Sequence, residues 1–293
     1  MQHQIIQQQF DEERALYALR DTEVIGCTFA GPADGESPLK EGEELRVHNC
    51  KFSLRYPLWH TKNFLLSDSH LDETARAPLW YTELGTLRRC RVDGVKALRE
   101  CEDTLVESSV IRSPEFAWKC HGLRIRNSSL TSEYAFFESR EGEIRNLSLS
   151  GKYSFQYVEN MTVENSVLET KDAFWHAKNV TVTDSVLRGE YLGWFSEGLT
   201  LVNCHIAGTQ PLCYCKGLRL IDCTMEGCDL SFEYSEVEAE VKGHILSVKN
   251  PKSGCIRADS IGEILREGSV MESLCDIQTA NELLETSSRQ SNI

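Results

Sequence analysis

The chain has 293 residues, a formal net charge of −14 and 41% apolar residues. Such an acidic chain with no basic stripe excludes an electrostatic nucleic-acid binder. No apolar run is long enough for a membrane-spanning helix. Length alone predicts two domains, but an internal repeat overrides that expectation.

Residues 1–10 carry neither the repeat nor the basic and apolar regions of an export signal. They are expected to be an N-terminal arm or cap, and the expected compartment is cytoplasmic. The repeat runs from residue 11 to 265 as one elongated domain. Arg14 to Asp21 already matches its tryptophan-bearing segment, with Tyr17 in the tryptophan place. The insertion Gly31-Pro32-Ala33-Asp34-Gly35-Glu36 reads as a surface loop.

From residue 45 onward each coil reads apolar-x-apolar-x-Asn/Asp-small-x-apolar, as in Leu45-Arg46-Val47-His48-Asn49-Cys50-Lys51-Phe52 and Leu199-Thr200-Leu201-Val202-Asn203-Cys204-His205-Ile206. The period-2 apolar positions, such as Val47, Ile125 and Val182, form one face of a short strand. Asn127, Asn146, Asn165, Asp184 and Asn203 recur every 19 residues. Asn and Asp tolerate the left-handed backbone of a tight corner. Further corners are expected at Gly189 and Gly208 and at Asn160, Asn179 and Gly198. Small residues after the Asn column fit an inward position with little room.

All five tryptophans share one column of this repeat. Trp59, Trp80, Trp118, Trp175 and Trp194 are 21, 38, 57 and 19 residues apart, multiples of 19 but for one two-residue insertion. The skipped rungs carry Arg99, Phe137, Gln156, Cys213 and Phe232. A period kept this strictly means a solenoid of roughly twelve coils, stacked about 4.8 Å apart. The expected fold is all-β, a parallel β-helix. Residues 266–293 lack the pattern and read as a tail, a cap or a disordered segment.

The residues before the tryptophans, such as Leu79, Phe155 and Phe174, are uncharged and look inward. Those after them run His60, Tyr81, Glu100, Lys119, Glu138, Tyr157, His176, Phe195, Tyr214 and Glu233. Two positions further on, Lys62, Glu83, Lys178 and Glu197 are plainly solvated. Strict alternation would point the tryptophans inward, whereas a bulge after the apolar column would expose them. Exposed, they would line a groove that suits sugars. Buried, they would be an aromatic stack with Arg99 held between Trp80 and Trp118 by cation–π contacts.

On the exposed reading the ligand-binding candidates are Arg99, Trp118, Lys119, Gln156, Tyr157, Trp175 and Trp194, forming one continuous face. Acid–base candidates are Glu100, Glu138 and His176. The two glutamates lie two rungs apart, roughly 9–10 Å, at the wide edge of an inverting carboxylate pair. Any charged ladder produces such distances. No Gly-rich phosphate loop and no Ser/His/Asp order is present.

The 12 cysteines fall mostly in two ladder columns, Cys27, Cys50, Cys90, Cys204, Cys223 and Cys101, Cys120, Cys215. There they alternate with Ser, Thr and Ala. Free buried thiols are expected, as in a reducing compartment, with no metal and no cofactor.

Segments such as Tyr56-Pro57-Leu58-Trp59-His60, Ser113-Pro114-Glu115-Phe116-Ala117-Trp118-Lys119-Cys120 and Asp172-Ala173-Phe174-Trp175-His176 resemble an uncharacterised bacterial family within the pectin-lyase-like superfamily. The resemblance spans about residues 10–262 and implies a right-handed single-stranded β-helix. It implies no single activity, because that superfamily spans lyases, hydrolases, epimerases and adhesins. The Asp-Asp, Gly-His-Gly and Arg-Ile-Lys signatures of polygalacturonases and the calcium-binding Asp cluster of pectate lyases are missing. The functional expectation is an intracellular β-helix that binds or acts on an oligosaccharide or sugar conjugate. If it is an enzyme, its activity would be of the lyase, hydrolase or epimerase kind. The alternative is a non-catalytic protein-interaction scaffold, and homo-oligomerisation is open on either reading.

Overall fold

A computed structural model describes residues 3–33 and 35–280. Residues 281–293 of the expected tail, and Asp34 of the expected loop, lie outside the described residues. The chain divides into two compact units, Met1–Gly151 and Lys152–Ile293. Among the described residues the regular elements are strands, and parallel pairing at about 19-residue spacing builds a β-solenoid of about 15 turns.

In the first unit the strands His3–Ile6, Arg20–Ile25, Glu43–His48, Lys62–Ser67, Glu83–Arg88 and Leu105–Glu107 stack in sequence order onto Arg124–Ser132. A second row runs from Gln9–Phe10 through Thr28–Phe29, Lys51–Phe52, His70–Leu71 and Arg91–Val92 to Val110–Arg112. In the second unit Thr162–Glu164 leads through Thr181–Thr183, Thr200–Val202, Leu218–Glu226, Glu236–Lys249 and Ser253–Leu265 to Leu274–Thr279.

The turns exceed the roughly twelve of the sequence reading partly because pairing extends past both expected boundaries. His3–Ile6 pairs with Thr22–Ile25, and Leu274–Thr279 pairs with Ser253–Ala258. The end rungs escaped the pattern because their corner residues differ. Gln7 takes the left-handed corner (φ 50) that Asn49 (φ 53) takes later.

Inward alternation fills the core. Val47, Leu66, Val106 and Ile144 in the first unit and Val182 and Leu201 in the second are essentially unexposed. Phe29 stacks on Phe52 at 4.7 Å, and Phe155 on Phe174 at 4.8 Å. A stacked apolar column of this kind removes area from water at about 25 cal/mol per Å².

The corners are left-handed where the Asn/Asp column predicts. Asn127, Asn146, Asn165, Asp184 and Asn203 have φ between 49 and 53. Their side chains bond from rung to rung. Asn146 Nδ2 donates to Asn127 Oδ1 at 2.8 Å, and Asn203 Nδ2 to Asp184 Oδ1 at 2.6 Å. At the deviant rung Arg89 reaches Asp68 with two bonds of 2.6 Å.

The small column does more than save space. Ser69 Oγ accepts the Cys50 amide at 3.0 Å and donates to the Ser67 carbonyl at 2.7 Å. Ser109 and Ser185 accept the amides of Cys90 and Ser166 in the same way. Each such side chain satisfies a buried amide at the corner.

Candidate functional site

The tryptophan column is half-buried: the indoles are partly exposed, as an at least partly exposed column requires, and Arg99 lies between Trp80 and Trp118, as the stacked reading requires. No bulge produces this. The residues on both sides of three tryptophans are left-handed: Ala117 (φ 53) and Lys119 (φ 55) around Trp118, Phe174 (φ 60) and His176 (φ 53) around Trp175, and Gly193 (φ 74) and Phe195 (φ 59) around Trp194. At Trp59 and Trp80 the left-handed pairs are Tyr56 with His60 and Ala77 with Tyr81. Two left-handed residues turn the chain within this segment, and the inward–outward count restarts. Where the pair flanks the ring directly, its first residue stays inward, with Phe155 and Phe174 fully buried. The second points out, with Tyr157 47% and Phe195 39% exposed.

Each indole is fixed by one bond. Trp59 Nε1 donates to the Ala77 carbonyl at 2.7 Å, Trp80 to Lys96 at 2.7 Å and Trp118 to Tyr134 at 2.9 Å. In the second unit Trp175 donates to Tyr191 and Trp194 to Gln210, both at 2.7 Å. Gln156 Nε2 makes the same bond to Asp172 at 3.1 Å. An amide thus replaces an indole because both carry an N–H that reaches the carbonyl of the next corner.

In the first unit Trp59 and Trp80 stack at 5.5 Å with planes 6° apart. The Arg99 guanidinium carbon lies 5.0 Å from the Trp80 ring centroid and 5.6 Å from that of Trp118. Arg99 Nε is 3.5 Å from Glu100 Oε1 and has no hydrogen-bond partner. Lys119 Nζ stands 3.5 Å from Glu138 Oε2. Arg99, Glu100, Trp118, Lys119 and Glu138 therefore form one row of half-exposed groups. The two glutamates are each engaged by a neighbouring cation rather than facing one another across an open cleft.

In the second unit Trp175 and Trp194 stack at 5.4 Å, 3° apart. Tyr157, His176, Phe195 and Tyr214 form a second ladder with centroids 4.9, 5.0 and 4.8 Å apart. His176 is held between two aromatic rings. The structure therefore brings the candidates together as two sets, Arg99, Glu100, Trp118, Lys119 and Glu138 in one unit and Gln156, Tyr157, Trp175, His176 and Trp194 in the other.

One column assignment is corrected. Glu233, not Phe232, takes the tryptophan place at its rung. The Tyr214 amide donates to the Glu233 carbonyl at 2.7 Å, as the His176 amide donates to Trp194 at 3.0 Å. Phe232 is fully buried with φ 67, matching Leu212 with φ 62 one rung earlier. A one-residue insertion shifted the count. Glu233 is held there by Lys249 at 2.9 Å.

Sequence reasoning also missed Asp172. Its side chain is 11% exposed, with Lys171 Nζ 3.9 Å away. Burial pushes its carboxyl above the usual range; Lys171 opposes this and Glu190 adds to it. The Asn, Gly and Trp periodicities carried no signal for it. Among the described residues no group of His, Cys, Asp and Glu is arranged to hold a metal ion, and no helix is long and apolar enough to cross a membrane.

Among solved structures the chain is similar to the surface adhesin PfbA of Streptococcus pneumoniae, with 8% identity over 89% of this chain and 83% of that one and a TM-score of 0.50. It is also similar to the catalytic domain of a GH87 alpha-1,3-glucanase (8% identity, 95% and 64% covered, TM-score 0.35). A third is the A-module of the Azotobacter vinelandii mannuronan C-5 epimerase AlgE4 (10% identity, 94% and 88% covered, TM-score 0.24). At such identities the likeness to PfbA speaks for the fold alone. No curated protein matches the sequence. The family model described as "Protein of unknown function (DUF3737)" matches residues 3–278, and the chain belongs to that family.

Proposed function

We propose that this protein binds an extended oligosaccharide or sugar conjugate bearing carboxylates, laid along the Arg99–Glu138 row of its first unit. The observation that carries the reading is Arg99. Its guanidinium is clamped between Trp80 and Trp118, so little rotamer entropy is lost when its terminal nitrogens engage a planar carboxylate. Lys119 adds a second cation one rung on, and Glu100 and Glu138 accept from hydroxyls. Neighbouring rungs are about 4.8 Å apart, comparable to the advance per sugar of an extended pyranose chain, so successive sugars meet successive rungs. Sugar faces do not stack on the indoles, because those faces are covered by their ladder neighbours. Contact is to ring edges and charged groups.

The same reading places the protein in the cytoplasm, supported by twelve free cysteines of which all but Cys255 are buried. The test is a titration of tryptophan fluorescence with oligouronates and with neutral oligosaccharides of equal length at low salt. Oligouronates should shift the emission. Arg99→Ala should weaken them about tenfold, about 1.4 kcal/mol, and neutral oligomers less. No spectral change with any oligouronate sinks the sugar reading. It would leave the second one, a non-catalytic protein-interaction scaffold, which the edge-on packing of the indoles favours by offering a flat surface.

A further inference from the structure

The outward side of the first unit holds a cleft of about 440 Å³ that the repeat does not require. Two columns wall it. One is the corner column Asp21, Glu44, Asn63 and Leu84; the other is the outward strand row Arg46, Leu65 and Thr86, which are register partners on adjacent strands.

Leu84 is out of character. It is left-handed (φ 52) and 57% exposed. Its column carries Asp21, Glu44, Asn63, Asp103 and Gly122, mostly residues that accept such a backbone. A leucine there bears backbone strain without burying its side chain, and strain kept without packing return marks functional positions. The neighbouring Gly85 has no room for a Cβ, which would lie 2.6 Å from the Phe64 ring. The Phe64 ring therefore fills the core beneath, and Leu84 stands on the rim.

The charges around it are unspent. Arg88 is tied to Glu107 at 2.8 Å. Arg46, Asp21 and Glu44 form no ion pair among the described residues, although all three line one cleft. Two carboxylates on one wall, a guanidinium on the other and one leucine on each, Leu84 and Leu65, make a template with both signs of charge and an apolar end. The geometry points to a site for a small zwitterion with a branched aliphatic body, an α-amino acid in chemical class. Its ammonium faces Glu44, with Asp21 one rung beyond, its carboxylate takes the Arg46 fork, and its alkyl group covers Leu65 and reaches towards Leu84. This site shares no residue with the Arg99–Glu138 row, so either assignment can fail alone.

The experiment is ligand-observed NMR on the full chain with three probes: L-leucine, 4-methylvalerate (no ammonium) and isopentylamine (no carboxylate). L-leucine should saturate in the millimolar range, each truncated probe about tenfold weaker or more. Arg46→Gln should weaken leucine about tenfold. Leu84→Gly should raise the melting temperature, since glycine takes the left-handed backbone without strain, and at the same time weaken leucine. Absence of a saturable leucine signal, unchanged affinity in Arg46→Gln, or equal binding of all three probes would overturn the assignment. So would a Leu84→Gly variant that melts lower and binds as before, because Leu84 would then be a packing residue.

Discussion

At the residue scale, the tryptophan column shows one polar atom deciding the fate of a large apolar ring. Each indole N–H is spent on a carbonyl at the next corner, and this bond holds the ring half in and half out. Replacing Trp175 by Phe keeps the stack on Trp194 and removes the donor to Tyr191. The expected loss is about 1 kcal/mol, read from urea unfolding. A loss near zero would mean that stacking alone fixes the ring. Asp172 offers a test with a sign. Its folded pKa is raised, chiefly by burial, whereas in the unfolded chain it titrates near 3.9. Its protonated form fits the fold, so its contribution is fully present below about 3.9 and is lost as pH rises through the folded pKa. Asp172→Asn should therefore melt higher than the parent at pH 7, with the gain shrinking towards pH 3.5. An equal gain at both values would show that charge is not the cause. The Trp spacing exposed the column in the sequence, but nothing there announced the indole bonds or Asp172, because both depend on a carbonyl or a charge in another rung.

At the element scale, corners rather than strands set the architecture. Most strands here are short, and the chain turns on left-handed residues at fixed places. Asn and Gly columns made those corners legible. The turn at the tryptophans was not legible, because its left-handed positions are filled by Phe, Lys, His and Tyr, residues that carry no turn signal. Stacked rungs hold such residues in place through bonds on both sides, overriding local preference. Glycine is required only where the next rung leaves no space. At Gly208, with φ 134, a Cβ would sit 2.1 Å from the Gly189 carbonyl oxygen. Gly208→Ala should cost about 2–3 kcal/mol, whereas Gly227→Ala, with nothing within 4 Å, should cost less. Comparable thermal melts for the two variants would show that the corner relaxes.

At the scale of the whole molecule, the cysteines test the compartment. Burial pushes Cys90 up to about 11 and Cys213 up to about 12, and a thiol kept protonated reacts slowly. Accessibility singles out one thiol: native protein should show one fast group towards an aromatic disulfide reagent, the half-exposed Cys255, although burial raises that thiol as well. Protein denatured without reductant should show all 12. Few free thiols after denaturation would mean bridged ladders and an oxidising compartment.

The sequence by itself determined the parallel β-solenoid, its 19-residue coil, the inward apolar columns and the Asn and Gly corners. Each of these is a periodic property, and stacking identical coils turns period directly into contact. Tertiary structure alone decided how far the tryptophans emerge, that their faces are covered, and that Glu233 replaces Phe232 in their column. It also decided that the end rungs join the stack and that Arg46 and Leu84 meet across one cleft. These depend on backbone handedness and on partners in neighbouring rungs, which spacing along one chain does not encode.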